Sequence, residues 1–131
     1  FNTLDISQFE QESWFADNPP QPVQIPTIPL DDFFADNKQH PNCIKIDAEG
    51  AELQILRGAK QLMQEAAPVI IFEYQQVSGD SIYEQCIEWL NNLDYKIFII
   101  TADGGMQECV NIPLYLHQQN LESDNIIARK L

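Results

Sequence analysis

The stretch that decides the fold is Cys43-Ile44-Lys45-Ile46-Asp47-Ala48-Glu49-Gly50-Ala51-Glu52. Its apolar beginning predicts a short buried strand over residues 42–47, and its acidic end predicts a turn directly into a helix. Ligands of open α/β sheets bind outside the carboxyl ends of the strands. The carboxylates of Asp47, Glu49 and Glu52 at this junction are therefore the first candidates for a functional site.

The segments that follow alternate between helical and extended patterns. Residues 50–66 and 81–93 carry apolar side chains at helical spacing. Apolar runs at Val69-Ile70-Ile71-Phe72 and at residues 95–101 predict two further strands, and a last strand is expected around residues 125–129. The order β-α-β-α-β-loop-β predicts an α/β fold with parallel strands, right-handed crossovers and helices on both faces.

The whole chain is expected to be one domain with two parts. Residues 1–41 are an acidic, proline-rich lead-in, which should be extended because proline fixes φ and removes a donor. Within it, residues 30–34 predict a short helix whose first turn is capped by Asp31 or Asp32. Residues 42–131 form the core, and its first strand is too apolar for a sheet edge, so another strand should pair with it.

Composition excludes several functions. The chain has seven Lys and Arg and 20 Asp and Glu, which gives a net charge of -13. Nucleic acid and anionic membranes would repel so acidic a protein. No apolar run approaches the roughly 18 residues of a spanning helix. We therefore expect a cytoplasmic protein. Cys43, Cys86 and Cys109 fit neither a disulfide framework nor a zinc site, and we expect Cys43 and Cys86 in the core.

The deciding stretch is also similar to a family signature. Ile44 to Glu52 resembles the "KIDVEGAE" signature of the FkbM family of S-adenosylmethionine-dependent methyltransferases, with Ala48 where valine is usual. Residues 28–32, 56–59 and 68–73 also resemble segments of this family, and Thr3-Leu4-Asp5 has a counterpart in the family. The resemblance spans nearly the whole chain.

The resemblance implies a partial Rossmann-like class I methyltransferase sheet. The chain would hold strands four to seven, the last two antiparallel, while the half with the glycine-rich cofactor turn would lie outside it. Residues 1–131 alone should then be inactive. The implied cofactor is S-adenosylmethionine, and the implied acceptor is a small, sugar-like hydroxylated molecule methylated on oxygen. Acceptor choice is expected to depend on residues 8–27 and 103–122.

The resemblance and the predicted strand order together give the candidate site residues. Asp47, Ala48 and Glu49 are expected to contact the cofactor, and Asp47, Glu49 and Glu73 to form the catalytic set. Glu73 should end the neighbouring strand about 5 Å from Asp47, where two acids could raise one pKa and create a general base. Alternatively, Asp47 caps the next helix, and Glu49 and Glu52 only stabilise its dipole.

Other interpretations stay open. A divalent metal on Asp47, Glu49 and Glu52 is conceivable because hard cations prefer oxygen ligands, but no spacing supports it and no metal site is assigned. Lys45 either extends past a covering helix or pairs with an acid. A function of another class is a non-catalytic α/β module, with its exposed strand edge paired to a partner or to a second copy as a homodimer.

Four smaller expectations complete the sequence interpretation. Gly50 should allow a tight turn into the helix, and Gly58 should allow close contact between helix and sheet. Asp103-Gly104-Gly105 is typical of a hairpin loop. Tyr74 is expected to pack in the core rather than to line a pocket.

Overall fold

The elements of the chain alternate between helices and strands. The computed structural model describes residues 17, 21, 23–36, 39–76 and 81–131. In chain order the elements are α1 (Leu30–Phe34), β1 (Cys43–Ile46), α2 (Glu52–Arg57), α3 (Lys60–Glu65), β2 (Val69–Gln75), α4 (Ile82–Asn91), β3 (Lys96–Ile100), β4 (Met106–Glu108), α5 (Ile112–Gln119) and β5 (Ser123–Arg129). The predicted α/β class is thus confirmed.

The strands form one mixed five-stranded sheet in the order β1-β2-β5-β3-β4. β1 and β2 are parallel, whereas β5 runs antiparallel to both of its neighbours, β2 and β3. The last strand is therefore antiparallel, as expected, but it inserts between two earlier strands. The hairpin is instead made by β3 and β4, which are antiparallel across the Asp103-Gly104-Gly105 turn. The predicted hairpin loop is confirmed there.

The predicted single helix over residues 50–66 is two helices. α2 ends at Arg57 and α3 begins at Lys60. At the break, the Gly58 carbonyl accepts a 2.9 Å hydrogen bond from the Asp31 N–H, and a Cβ on Gly58 would lie 3.5 Å from Pro29. Gly58 thus allows a close approach of the lead-in segment, and the expected contact between helix and sheet at this glycine is wrong.

Asp31 caps a different helix from the predicted one. α1 begins after Pro29 and has no side-chain cap. The two Asp31 carboxylate oxygens accept from the N–H groups of Gln61 at 3.0 Å and Leu62 at 2.9 Å. These amides belong to the first turn of α3, where N–H groups have no partner within the helix. Asp31 therefore fixes α1 against α3.

The lead-in is only partly described. Residues 23–29 have no regular secondary structure, as proline predicts. Residues 1–16, with Thr3-Leu4-Asp5, lie outside the described residues, and so does much of the 8–27 segment that was assigned to acceptor choice.

The core lies against one face of the sheet. Ile70, Phe72 and Tyr74 of β2 are buried there, alternating with partly exposed residues of the same strand. The buried side chains of the described helices α2 to α5 join the same cluster. The described helices thus cover one face, and the expectation of helices on both faces is not confirmed by them.

β1 lies at the edge of the described sheet, and only Ile46 of its four residues is buried. Cys43 is exposed, so its predicted core position is wrong, because an edge strand is covered less than a central one. Cys86 on α4 is fully buried, as predicted. No described residue pairs with the outer edge of β1, and the strand expected there stays a prediction.

None of the helices in the described part of the chain has both the length and the apolar character needed to cross a membrane.

Candidate functional site

Acidic residues gather at the carboxyl ends of β1 and β2. Ile46 and Phe72 are the last paired residues of these parallel strands. Asp47 and Glu73 are the next residues along the two strands, so they occupy neighbouring positions in the backbone register. We call the group of Asp47, Glu49, Glu52 and Glu73 the acidic edge.

Glu73 does not end its strand. β2 continues to Gln75 because Glu73 pairs with Asn125 of β5 and the next two residues pair with β5 as well. Glu73 is half-buried, and its Oε2 accepts from the Gln75 Nε2 at 3.4 Å. The expected strand end at Glu73 is therefore wrong, while its place beside Asp47 stands.

Asp47 presents its carboxylate to solvent. Its side chain is 60% exposed, and the Lys45 Nζ lies 3.7 Å from its Oδ2. Of the two alternatives for Lys45, pairing with an acid is thus observed, although an exposed pair contributes little to stability. The N-cap residue of α2 is Ala51, with no side-chain cap. Asp47 therefore does not cap the helix, and its carboxylate is available to a ligand.

Glu52 organises the turn between β1 and α2. Its side chain is only 2% exposed, and its two carboxylate oxygens each accept a 3.0 Å hydrogen bond, one from the Ala48 N–H and one from the Gly50 N–H. Hydrogen bonds to a carboxylate are stronger than neutral ones. Glu52 thus reaches back from the first helical turn and fixes the backbone on which Asp47 and Glu49 stand.

The turn itself has an unusual backbone. Gly50 has a φ of 102°, and Glu49 has a φ of 48°. The predicted use of Gly50 for a tight turn is confirmed. A positive φ is uncommon for glutamate, and such residues cluster at active sites and ligand clamps. Ala67, Asp94 and Asn120 also have a positive φ, so this conformation shapes the turn but does not by itself mark Glu49 as functional.

Two further residues of the junction have clear places. Ala48 is half-buried and packs against the core cluster. Tyr74 is 2% exposed within that cluster, so its predicted packing role is confirmed.

Tyr83 packs in the core near the acidic edge, and the sequence interpretation did not single it out. It lies in the first turn of α4, is 4% exposed, and has its ring centroid 5.7 Å from that of Tyr74. Burial raises the pKa of Tyr83, and the negative charges of Glu52, Glu73 and Glu49 raise it further. The phenol therefore stays protonated beside the acidic edge.

A start signal for α4 could have located Tyr83. The Ser81 hydroxyl accepts from the Glu84 N–H at 3.2 Å, and the pattern Ser81-Ile82-Tyr83-Glu84 is that of a capping box. A helix that begins there, after a parallel strand, puts Tyr83 close to the carboxyl end of that strand.

The acidic edge does not resemble a metal centre. No group of three or more His, Cys, Asp or Glu side chains in the described ranges is arranged to hold a metal ion. Glu52, one of the three conceivable ligands, uses both oxygens on backbone amides. The structure therefore gives no support to the metal alternative.

A shallow cavity of about 110 Å³ lies elsewhere, between α1 and α3. His40 lines it, three residues before β1 and hence near the amino end of that strand. The nearby Asp31 carboxylate is occupied by the α3 amides. This cavity is separate from the acidic edge.

The fold is an α/β domain with acidic residues beyond the carboxyl ends of two parallel strands, which is compatible with a methyltransferase-like fold. The Methyltransferase FkbM domain matches residues 1–97, and the chain belongs to this family. The matched range runs from the lead-in through β1, the acidic edge, β2 and α4 to the beginning of β3. No curated protein and no solved structure matches the chain.

Proposed function

We propose that this protein transfers the methyl group of S-adenosylmethionine to an oxygen atom of a sugar or another hydroxylated metabolite. The observation that supports this proposal is the gathering of Asp47, Glu49 and Glu73 at one sheet edge of a chain in the FkbM family. Ligand binding beyond the carboxyl ends of parallel strands is the rule for open α/β sheets.

The acidic edge suits the charged end of the cofactor. S-adenosylmethionine carries a sulfonium and an amine, both positive, and the exposed Asp47 carboxylate and Glu49 offer opposite charge. Asp47, Ala48 and Glu49 would hold this end. When bound, the cofactor supplies an electrophilic methyl group. Because these 131 residues contain only five glycines and no glycine-rich loop, we propose that residues 1–131 alone bind the cofactor weakly and are inactive.

Glu73 is the proposed general base. It is half-buried beside Asp47, where it can accept the proton of an acceptor hydroxyl as the new carbon–oxygen bond forms. Proton transfer to a positioned side chain contributes about 10²–10⁴-fold to a rate. Asp47 and Glu49 orient the reactants, and Glu52 holds the turn that carries both. Orientation matters here because methyl transfer requires an in-line arrangement.

The proposal is tested by methyl transfer from radiolabelled S-adenosylmethionine to a panel of sugars and polyols, using the full-length protein. We expect Glu73→Gln to lower kcat by about 10²-fold or more with little change in KM for the cofactor. Asp47→Asn should instead raise that KM. Asp94→Asn is the matched control. Asp94 is exposed and precedes the amino end of β3, at the end of the strands opposite the acidic edge.

Two results would contradict the proposal. One is an absence of transfer to every hydroxylated acceptor while the cofactor binds. The other is an Asp47→Asn variant and a Glu73→Gln variant that are both as active as the Asp94→Asn control.

A non-catalytic interaction module is the second candidate, and one observation favours it. The outer edge of β1 has no partner strand among the described residues, and Cys43 and Lys45 on it are exposed. Strand addition at such an edge is a common recognition mode. We propose as this alternative that two copies pair through β1.

A thiol-reactive cross-linker tests the alternative. If the copies pair through β1, it should join two chains through Cys43, and Cys43→Ser should abolish the product. A chain that sediments as a monomer at high concentration and gives no Cys43-dependent product would exclude this alternative.

A further inference from the structure

The Glu73 side chain lies on the face of the sheet that is opposite the core. Along β2 the side chains of Ile70, Phe72 and Tyr74 are buried in the core cluster, and successive side chains of a strand point to opposite faces. Glu73 therefore belongs to the other face, which we call the outer face. A side chain that acts on an acceptor together with Glu73 has to lie on the outer face as well.

Asn125 is the residue directly opposite Glu73 on the outer face. The two residues are partners in the antiparallel register of β2 and β5, and such partners have Cβ atoms about 4.5–5.5 Å apart on the same face. The next residue, Ile126, is fully buried in the core cluster, which confirms the face of Asn125 by alternation. The Asn125 side chain is exposed. A small molecule on the outer face can therefore contact the Asn125 amide and the Glu73 carboxylate together.

The position of Asn125 in the sheet is uncommon for its residue type. Asparagine is depleted in strands, yet β5 lies between β2 and β3 in the sheet. The ladder between β5 and β3 ends at the pair of Ile126 and Ile99. Within the described ranges, Asn125 is therefore paired with β2 alone, and β5 loses its second neighbour next to the proposed general base.

Two side chains hold the backbone of Asn125 in place. The Oδ1 of Asp124 accepts from the Asn125 N–H at 2.7 Å, and the Oδ2 of the same carboxylate accepts from the Tyr115 hydroxyl at 2.6 Å. This hydrogen bond raises the pKa of Tyr115 to about 12, so the phenol stays a donor at neutral pH. Because Tyr115 belongs to α5, Asp124 connects Asn125 to a packed helix. A group that orients a ligand needs such support.

An amide next to a carboxylate suits a hydroxyl ligand. The side-chain amide of asparagine has two N–H donors, whereas an ionised carboxylate only accepts. A hydroxyl group can do both: its oxygen accepts from the Asn125 amide, and its O–H donates to Glu73. This pair of hydrogen bonds directs the hydroxyl proton at the base and fixes the position of the oxygen.

We propose that Asn125 is an acceptor-binding residue, whose side-chain amide donates to the hydroxyl oxygen of the methyl acceptor while Glu73 accepts from the same hydroxyl group. The acceptor then lies on the outer face between β2 and β5. This inference rests on the proposed role of Glu73 as general base. It adds a residue outside both segments that the sequence assigned to acceptor choice, residues 8–27 and 103–122.

The first test measures the pKa of Glu73 from its carboxyl carbon resonance in the full-length protein, without any ligand. Asn125→Asp puts a second carboxylate opposite Glu73, and a like charge raises a carboxyl pKa. We therefore expect a higher pKa of Glu73 in this variant. Asn91→Asp is the matched control, since Asn91 is exposed at the last position of α4; it should leave the pKa of Glu73 unchanged. An equal pKa of Glu73 in both variants would overturn the inference.

The second test uses methyl transfer by the full-length protein to the panel of sugars and polyols. Asn125→Ala should raise KM for the methylated acceptor by about threefold to tenfold, the effect of one lost hydrogen bond, with an unchanged KM for the cofactor. Asn91→Ala should change neither KM.

The kinetic outcomes separate this inference from the proposed function. If transfer proceeds and Asn125→Ala has the same acceptor KM as Asn91→Ala, or raises both KM values equally, the inference fails and the function stands. If the unsubstituted protein methylates no hydroxylated acceptor, the proposed function fails and the inference fails with it.

Discussion

Two turns of this molecule are each held by a carboxylate, yet their surroundings differ. Glu52 holds the turn between β1 and α2 and is buried. Asp103 holds the β3–β4 turn, accepting from the Thr101 hydroxyl at 2.5 Å and the Gly105 N–H at 3.2 Å, and it is exposed. Each turn also contains a glycine with positive φ, Gly50 at 102° and Gly104 at 81°.

This difference in surroundings indicates that a carboxylate-held turn is not by itself enough for a functional site. Near the Glu52 turn lie Glu73, on the neighbouring strand, and Tyr83, on a packed helix. The Asp103 turn joins an edge hairpin whose strand β4 consists of exposed residues. Chemistry is therefore expected at the first turn and only local stability at the second.

Removing the Glu52 carboxylate and the Asp103 carboxylate, one at a time, should give the largest difference in stability between the two turns. Glu52→Ala leaves two amides without their charged acceptor, which should lower the free energy of unfolding by about 3 kcal/mol. Asp103→Ala, at a solvated turn, should shift the urea midpoint much less. Glu65→Ala, which loses an exposed side-chain hydrogen bond to Gln61, is the control. Equal midpoints for Glu52→Ala and Asp103→Ala would contradict the account.

The two glycines give an intermediate effect. Alanine at a positive φ costs about 1–2 kcal/mol, and a Cβ at Gly104 would meet nothing within 4 Å, so its cost is purely conformational. Gly50→Ala and Gly104→Ala should both lower stability by about this amount in urea unfolding. Only Gly50→Ala should also reduce methyl transfer by the full-length protein. A comparable loss of transfer in Gly104→Ala would break the distinction.

The smallest expected effect is the pH dependence of stability that comes from Asp103. The Thr101 hydroxyl and the Gly105 N–H hold the pKa of Asp103 below its ordinary value of 3.8. Because the pKa is depressed, the stabilisation is present above pH 3.8 and is lost as pH falls through the folded-state pKa. Thr101→Val should raise the pKa of Asp103 toward 3.8, as read from its carboxyl carbon resonance. An unchanged pKa would show that the Thr101 bond does not hold the carboxylate.

Much of the fold could be predicted from local pattern. β1, β2, β3 and α4 were located because their apolar residues follow a strand or helix period. α5 was missed although Asn111 caps it and a proline lies in its first turn. Only Ile112 and Leu116 of this helix are buried, which is too few for a visible stripe. The insertion of β5 between β2 and β3 depends on long-range pairing that no local pattern encodes.

The site could be predicted only in part, for a related reason. Asp47 and Glu73 follow parallel strands, so their proximity follows from the register. The burial of Glu52 and the place of Tyr83 depend on how α4 packs against α2. In the sequence, Glu52 is therefore one more acid of the first turn, and Tyr83 carries no signal that singles it out.

The most direct test of the central claim is a backbone-amide resonance titration of the chain with S-adenosylhomocysteine, the product form of the cofactor, at concentrations that reveal weak binding. The account predicts that the amide signals of Ala48, Glu49 and Gly50 move, while those of Asp103, Gly104 and Gly105 stay in place. Shifts confined to the hairpin turn would contradict the account. So would amide signals of Ala48, Glu49 and Gly50 that stay in place while the ligand saturates another part of the chain.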